Sequence, residues 1–232
     1  LQDYDRFRNS LPAGGELIIL GAGLIGCEFA NDLVDSGYKV TVLDLADSPL
    51  GALVPHQVGA ALQQRLQARG VTWRFGVSAT QVDRDGQRVR CTLSDGTVIE
   101  ADLVLSAVGL LPRVELAEAA GLAVNRGIGT DQFLQTADPD IYALGDCSEV
   151  GQQVRLFIAP LRLGATALAK TLAGQPMAVS YPPMPVLVKT PACPVVTLKP
   201  SADIAGHWSV IEHGNGLECH YLDSDDRLHG FT

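Results

Sequence analysis

The sequence predicts an α/β fold in which a three-layer domain, built on a parallel sheet with a β-meander, precedes a small antiparallel domain. Short apolar runs at 16–20 and 102–106 are typical of central parallel strands, which are buried on both faces. Segments with helical periodicity alternate with strands of this kind. Between the two runs, the apolar period changes to two around Asp-Gly pairs at 85–86 and 95–96, which indicates antiparallel hairpins.

The first half of the chain is predicted as a lead-in helix, a β-α-β-α-β unit, the meander and a returning strand. Pro12 starts a break after the lead-in helix, and Gly37 and Gly70 supply the stops of the two later helices. The predicted helices cover 3–11, 24–35 and 57–69, and the predicted strands cover 16–20, 39–43, 76–82, 87–93, 97–100 and 102–106.

The second half has a different composition, with more turn residues and, from Tyr181, many prolines. It predicts helices near 114–119 and 160–173, a short buried strand at 140–144, and antiparallel strands at 186–189, 194–198, 208–212, 217–222 and 227–232. We therefore divide the chain into four segments, 1–13, 14–111, 112–178 and 179–232.

Composition narrows the possible functions. The formal net charge of −9 argues against a surface for nucleic acid or anionic lipid, both of which need clustered Lys and Arg. The uncharged stretch at the first glycine motif is too short to cross a bilayer, and no signal segment opens the sequence, so a cytoplasmic location is expected. The five cysteines form no paired motif, so we expect free thiols and no metal site.

The strongest motif is Gly21-Ala-Gly23-Leu-Ile-Gly26, which directly follows an apolar strand and opens a helix. In this context Gly21 makes the tight turn, Gly23 lets the backbone approach a pyrophosphate, and Gly26 allows close packing of the helix on the sheet. Backbone N–H groups at the helix N-terminus, including those of Leu24 and Ile25, favour the anion. The sequence therefore predicts a Rossmann-like domain that binds a dinucleotide.

Two carboxylates accompany this motif. Asp44 ends the second strand, where a carboxylate accepts hydrogen bonds from an adenosine ribose. The residues after it include Asp47 and no Lys or Arg to hold a 2′-phosphate, which favours NADH over NADPH. Glu28 has two interpretations, an approach to the nicotinamide side of the cleft or a charge that complements the helix N-terminus.

A second constellation lies at Thr136-Ala-Asp-Pro-Asp-Ile-Tyr-Ala-Leu-Gly-Asp-Cys147, in which Gly145 and Asp146 follow the predicted strand 140–144. Ligands of open α/β sheets bind at the carboxyl ends of strands, where Asp146 can accept a hydrogen bond from a sugar hydroxyl. A plain Asp turn explains the same residues equally well.

Together these blocks resemble the flavoproteins with two dinucleotide-binding domains, the pyridine nucleotide-disulfide oxidoreductase superfamily. Its second FAD motif matches 136–146, and its hinge strand matches Ala107 to Pro112, which includes Gly109. The segments 23–33, 122–128 and 185–194 resemble rubredoxin–NAD reductases in particular.

The resemblance implies an NAD(H)-binding domain at 14–111, part of an FAD domain at 112–178 with Gly145 and Asp146 on the FAD, and a truncated C-terminal domain at 179–232. Lys189 is implied to face the flavin, where a fixed cation stabilises negative charge; a lysine that extends into solvent is the plain alternative. The implied activity is hydride transfer from NADH to FAD and then electron transfer to rubredoxin or a similar one-electron carrier.

The family's first FAD motif is not found ahead of Gly21, so we expect an internal fragment that is inactive alone and has an exposed FAD-domain surface available for dimer contacts. Two other functions stay open. One is a disulfide, CoA-disulfide or peroxide reductase of the same superfamily, although the C-terminal region lacks the His-Pro and Glu pairing of disulfide reductases. The other is a non-catalytic module that binds NADH.

Overall fold

The computed structural model describes residues 2–232, with side chains from Tyr4 onward. The helices are α1 (Gln2–Ser10), α2 (Leu24–Asp35), α3 (His56–Gln67), α4 (Glu115–Ala119) and α5 (Ile158–Leu172). The strands of the first half are β1 (Glu16–Leu20), β2 (Lys39–Asp44), β3 (Thr72–Phe75), β4 (Ala79–Asp85), β5 (Arg88–Leu93), β6 (Val98–Ala101) and β7 (Leu103–Ser106). Those of the second half are β8 (Ile128–Thr130), β9 (Ser148–Val150), β10 (Gln153–Val154), β11 (Val186–Val188), β12 (Val195–Thr197), β13 (His207–His213), β14 (Gly216–Leu222) and β15 (Leu228–Phe231).

The first half forms the three predicted layers. Strands β3, β2, β1 and β7 make a parallel sheet in that order, and β4, β5 and β6 make the antiparallel meander. Alternate residues of β1 serve opposite faces, because successive side chains of a strand point to opposite sides. Leu17 and Ile19 join the large core that includes α2 and α3, whereas Ile18 joins a smaller core with Cys91 of the meander. The predicted Rossmann-like, three-layer domain is confirmed.

The chain divides into two compact units. One contains the residues up to Gly109 together with Pro185–Thr232, and the other contains Leu110–Met184. In the first unit, β11 and β12 pair with each other, β13, β14 and β15 form a three-stranded antiparallel sheet, and Val188, Val195 and Cys219 join the core of α2 and α3. The four-segment division of the chain stays a prediction about domains.

The second unit differs from the sequence-based expectation in one element. The predicted strand 140–144 is wrong, since only an isolated bridge between Gln135 and Tyr142 forms there. The backbone hydrogen bonds of this stretch go to the turn just before it: Ala143 N–H donates to Leu134 O at 3.0 Å, and Thr136 N–H donates to Ile141 O at 2.9 Å. Residues 140–144 therefore pair with the preceding turn and do not form a strand of a sheet.

The short strands β8, β9 and β10 of the second unit were not predicted, because they consist mostly of polar residues and glycine and contain no apolar run. Across residues 2–232, none of the helices combines the length and the apolar character that a bilayer crossing requires.

Candidate functional site

The turn between β1 and α2 is shaped by its first glycine. Gly21 has φ +101°, a region that side chains with a Cβ rarely adopt, and a Cβ added here would lie 2.6 Å from the carbonyl oxygen of Ala107. Its N–H donates to Leu43 O at 2.8 Å. The turn is thus wedged between the carboxyl ends of β2 and β7, at the sheet edge where open α/β folds bind their ligands.

The other two glycines of the motif have different surroundings. A Cβ added at Gly23 would meet no heavy atom of the described chain within 4 Å, so the backbone here faces open space. A Cβ added at Gly26 would overlap the carbonyl oxygen of Gly21 and lie 3.5 Å from Ile19 Cγ2. Gly26 therefore lets α2 approach the turn and β1, and Gly23 leaves room for a ligand above the turn.

The N-terminus of α2 offers donors for an anion. The first intrahelical bond runs from Cys27 N–H to Gly23 O at 3.0 Å, so the N–H groups of Leu24, Ile25 and Gly26 precede the helical ladder. Within the described chain no side chain caps this end, and no acidic residue lies in the first turn. The donor set and the space above Gly23 fit a dinucleotide pyrophosphate.

Asp44 is built into the same turn. Its Oδ2 accepts a hydrogen bond from Ala22 N–H at 2.5 Å, and its Oδ1 accepts one from Ala46 N–H at 2.8 Å. Each carboxylate oxygen keeps a second acceptor site, so the carboxylate can still receive a ribose hydroxyl. Asp47 is exposed three residues beyond, and the neighbouring Leu45 presents an apolar surface that is 72% exposed.

Cys27 also holds the turn, a role that sequence reasoning missed. The side chain is fully buried, and its S–H donates to Ala22 O at 3.2 Å. Burial, followed by the nearby charges of Asp44 and Glu28, raises the pKa of the Cys27 thiol to about 12. In the sequence, only its position directly after Gly26 could have indicated this role. A thiol with this pKa stays protonated at neutral pH, so Cys27 acts as packing and not as a nucleophile.

The loop after β7 borders the glycine turn. β7 pairs in parallel with β1, and the Cα of Val108 would lie 3.3 Å from a Cβ at Gly21. Gly109 has φ +117°, and a Cβ there would meet no described heavy atom within 4 Å. Gly109 therefore lies in a loop that adjoins the glycine turn, although its contact with NADH stays a prediction.

Glu28 has a partner that neither sequence interpretation named. Its Oε1 accepts a hydrogen bond from the backbone N–H of Lys189 at 2.8 Å. Glu28 lies beyond the first turn of α2, so it does not act as a first-turn charge at the helix end. Lys189 is exposed and follows β11 directly. The structure thus brings two predicted site residues together through one carboxylate and one backbone amide.

Gly145 and Asp146 belong to the second unit. They form a short 3-10 helix, Gly145–Cys147, in which Gly145 has φ +83° and Asp146 is exposed. A Cβ at Gly145 would lie 3.2 Å from Leu161 Cδ1 on α5, so the glycine permits a close approach of this turn to the helix. The sugar-binding role of Asp146 stays a prediction.

Glu149 organises the loop that packs beside this turn. It is buried, and its carboxylate accepts hydrogen bonds from Asn125 Nδ2 at 3.0 Å, Arg126 N–H at 3.0 Å and Gly127 N–H at 2.8 Å. These donors, led by the Asn125 amide, lower the pKa of Glu149 from its ordinary value. Sequence reasoning missed this residue because its partners lie more than twenty positions away.

Two protein-family models match the chain. Residues 1–167 match the family model described as pyridine nucleotide-disulphide oxidoreductase, and residues 178–232 match the model described as rubredoxin binding C-terminal domain. The second match covers β11 to β15, the strands that join the first compact unit.

Individual relatives extend the similarity over the whole chain. The rubredoxin-NAD(+) reductases of Acinetobacter baylyi and Alcanivorax borkumensis are 43% and 45% identical to it over 100% of its length, which corresponds to 60% and 61% of theirs. A nitric oxide reductase FlRd-NAD(+) reductase of Aeromonas salmonicida is 47% identical over 79% of the chain and 47% of its own length. The chain therefore spans about 60% of the length of the first two relatives.

Solved structures give the same fold. A ferredoxin reductase from Rhodopseudomonas palustris matches 99% of this chain and 58% of its own with a TM-score of 0.86 at 27% identity. The putidaredoxin reductase–putidaredoxin complex matches 100% of this chain and 57% of its own with a TM-score of 0.84 at 28% identity.

Proposed function

The chain belongs to the pyridine nucleotide-disulphide oxidoreductase family, and from this premise we propose that the protein is an NADH-dependent FAD oxidoreductase that passes electrons to rubredoxin or a similar one-electron carrier. The observation that carries the proposal is the glycine turn of the first unit, where open space above Gly23 meets the leading N–H groups of α2. The rubredoxin-binding match at 178–232 supports the choice of electron acceptor.

Different residues of the turn would contact different parts of NADH. The N–H groups of Leu24, Ile25 and Gly26 would bind the pyrophosphate, because they are aimed out of the helix end and the helix dipole favours an anion. Asp44 fixes the turn through Ala22 N–H and would receive the adenosine ribose. These contacts orient the cofactor before any electron moves.

The same acidic end of β2 favours NADH over NADPH. A 2′-phosphate would meet the carboxylates of Asp44 and Asp47, and like charges at close range repel. The stretch 45–55 contains no Lys or Arg that could pair with a phosphate instead. Asp44 cannot easily turn away, because both of its oxygens hold backbone amides.

FAD would be held partly by residues of this chain. Gly145 and Asp146 of the second unit would contact its sugar-like chain. When bound, NADH supplies a hydride and FAD accepts it and releases the electrons one at a time. The protein supplies orientation and electrostatics for this chemistry.

Two further observations bear on alternatives and location. The match of 178–232 to a rubredoxin-binding domain favours a one-electron acceptor over a disulfide, CoA-disulfide or peroxide substrate, and the family membership favours an enzyme over a non-catalytic module. The five cysteines, all in the described part of the chain, are free thiols. Free thiols are typical of a reducing compartment, which supports the proposal of a cytoplasmic location.

A comparison of acceptors tests the proposal. The full-length protein, loaded with FAD, is given NADH under anaerobic conditions with rubredoxin, with a ferredoxin or with CoA disulfide. We expect rapid reduction of rubredoxin and slow reduction of the disulfide. Gly23→Val serves as the control for turnover that depends on the glycine turn. Preferential reduction of the disulfide would contradict the proposed acceptor.

A further inference from the structure

A buried amide on α2 ties this helix to a distant turn. Asn31 is 1% exposed, and its Oδ1 accepts a hydrogen bond from the backbone N–H of Ala192 at 3.1 Å, across 161 positions of sequence. One helical turn earlier, Glu28 accepts from Lys189 N–H at 2.8 Å. Residues three apart on a helix share a face. This face of α2 therefore holds both ends of the segment 189–192.

The segment that they hold is itself a tight turn. Thr190 is fully buried and its Oγ1 donates to Cys193 O at 2.6 Å, while Cys193 N–H donates back to Thr190 O at 2.8 Å. The Thr190 N–H donates to Val188 O at 3.0 Å. Two of these bonds close the turn and the third joins it to β11, so the turn moves as one piece with the end of that strand. Because the turn is attached to α2, the backbone of Lys189 has a fixed position relative to that helix.

We propose that Asn31 is a positioning residue, which holds the 189–193 turn on the helix that receives the NADH pyrophosphate and so sets the placement of Lys189 relative to the bound dinucleotide. The inference rests on the proposed function and adds to it a residue that touches neither cofactor. Asn31 is suited to this role because it is buried, whereas the Glu28 contact is exposed. The Asn31 hydrogen bond is part-buried, and a bond partly screened from water holds its geometry better than one in solvent.

The chemistry of the position requires an amide. Asn31 Nδ2 donates to Asp32 Oδ1 at 3.3 Å and to Asp35 Oδ2 at 3.4 Å, and Asp35 also pairs with Arg69 at 2.5 Å. Aspartate at position 31 would keep the acceptor for Ala192 N–H but would place a third carboxylate beside two others. Alanine would leave a half-buried N–H without its acceptor. Both halves of the amide group are therefore used.

The test uses the full-length, FAD-loaded protein and breaks the same hydrogen bond from either side. Asn31→Ala removes the acceptor, and Ala192→Pro removes the donor N–H without touching the buried amide. Ala192→Gly keeps the N–H and is the control for the second change. Ser36→Ala is the control at the C-cap of α2, since it removes a bond to Asp32 O that does not reach the turn.

Hydrogen–deuterium exchange of the peptide 186–196 gives a readout that is independent of turnover, with 207–222 as the internal reference. We expect both bond-breaking variants to raise exchange in 186–196 by about tenfold, equal to ~1.4 kcal/mol, and both controls to match the parent protein. The Kd for NADH should stay within twofold of the parent value. The rate of flavin reduction at saturating NADH should fall about tenfold, and the double variant should be no slower than either single one.

Two outcomes overturn the proposal. In the first, exchange in 186–196 stays at the parent level in both bond-breaking variants, so the turn does not depend on Asn31. In the second, exchange rises but flavin reduction keeps its parent rate, so the placement of the turn does not matter for the reaction. If Asn31→Ala does not fold, the comparison of Ala192→Pro with Ala192→Gly, by exchange in 186–196 and by flavin reduction, is enough to test the proposal. Failure of the proposed function would look different, because the parent protein itself would not reduce its flavin with NADH.

Discussion

Valine at two glycines of the same motif should produce two different defects. At Gly23 the backbone is extended (φ −72°, ψ −170°) and a Cβ meets no described heavy atom within 4 Å, so Gly23→Val should change the free energy of unfolding by no more than ~0.5 kcal/mol, as for other open surface positions. The side chain would instead fill the space above the N–H groups of α2. Loss of two hydrogen bonds to a charged pyrophosphate, each about 1.5–3 kcal/mol, weakens NADH binding by roughly a hundredfold or more.

At Gly26 the same substitution should act on stability first. A Cβ there overlaps the carbonyl oxygen of Gly21, so the backbone of the turn or the start of α2 must shift. Overpacking of this kind costs about 1–3 kcal/mol, and a backbone overlap belongs at the upper end. Gly26→Val should therefore lower the midpoint of thermal unfolding and lose NADH binding together.

Two measurements on the pair give the comparison, thermal unfolding without NADH and NADH titration by fluorescence. The expected pattern is a parent-like melting temperature with lost binding for Gly23→Val, and a lowered melting temperature for Gly26→Val. Parent-like NADH affinity in Gly23→Val would refute the reasoning, because the pyrophosphate would then not lie over this turn.

Three further predictions address other residues of the two units. Asp44→Arg should remove the preference for NADH or reverse it, since it replaces repulsion of the 2′-phosphate with attraction, and parallel titration with NADH and NADPH checks this. Glu149→Gln should unfold at a lower temperature than the parent at pH 7. Because the folded pKa of Glu149 is lowered, its contribution is present above the unfolded pKa and lost as pH falls through the folded pKa, so the two melting curves should converge in acid. Cys27 should remain unalkylated in mass spectra after iodoacetamide treatment of the folded protein at pH 8, since burial raises the pKa of its thiol to about 12.

The glycine turn and its strands could be predicted because their causes are local. A glycine is needed where φ is positive or where another backbone comes close, and an apolar run next to such a turn shows its strand directly. As the motif predicts, Gly21 follows β1, Gly26 lies in the first turn of α2, and Asp44 ends β2. The additional bond from Ala22 N–H to Asp44 was not foreseen, because it depends on how β2 ends beside the turn.

Long-range contacts and the mostly polar strands β8, β9 and β10 could not be predicted from the sequence. The bond between Asn31 and Ala192 joins positions 161 residues apart, and no local pattern distinguishes this asparagine from a solvated one on the surface of a helix. The predicted strand 140–144 was wrong because its apolar residues suit a strand but its backbone groups pair with the preceding turn.

The central claim is that the glycine turn holds NADH so that its hydride can pass to a flavin in the same protein. Rapid anaerobic mixing of the FAD-loaded, full-length protein with NADH tests it most directly, with the visible absorption of the flavin as the signal. We predict fast loss of this absorption with NADH, slow loss with NADPH, and loss slowed at least a hundredfold at low NADH concentration in Gly23→Val. Equal rates with NADH in the parent protein and in Gly23→Val would contradict the claim.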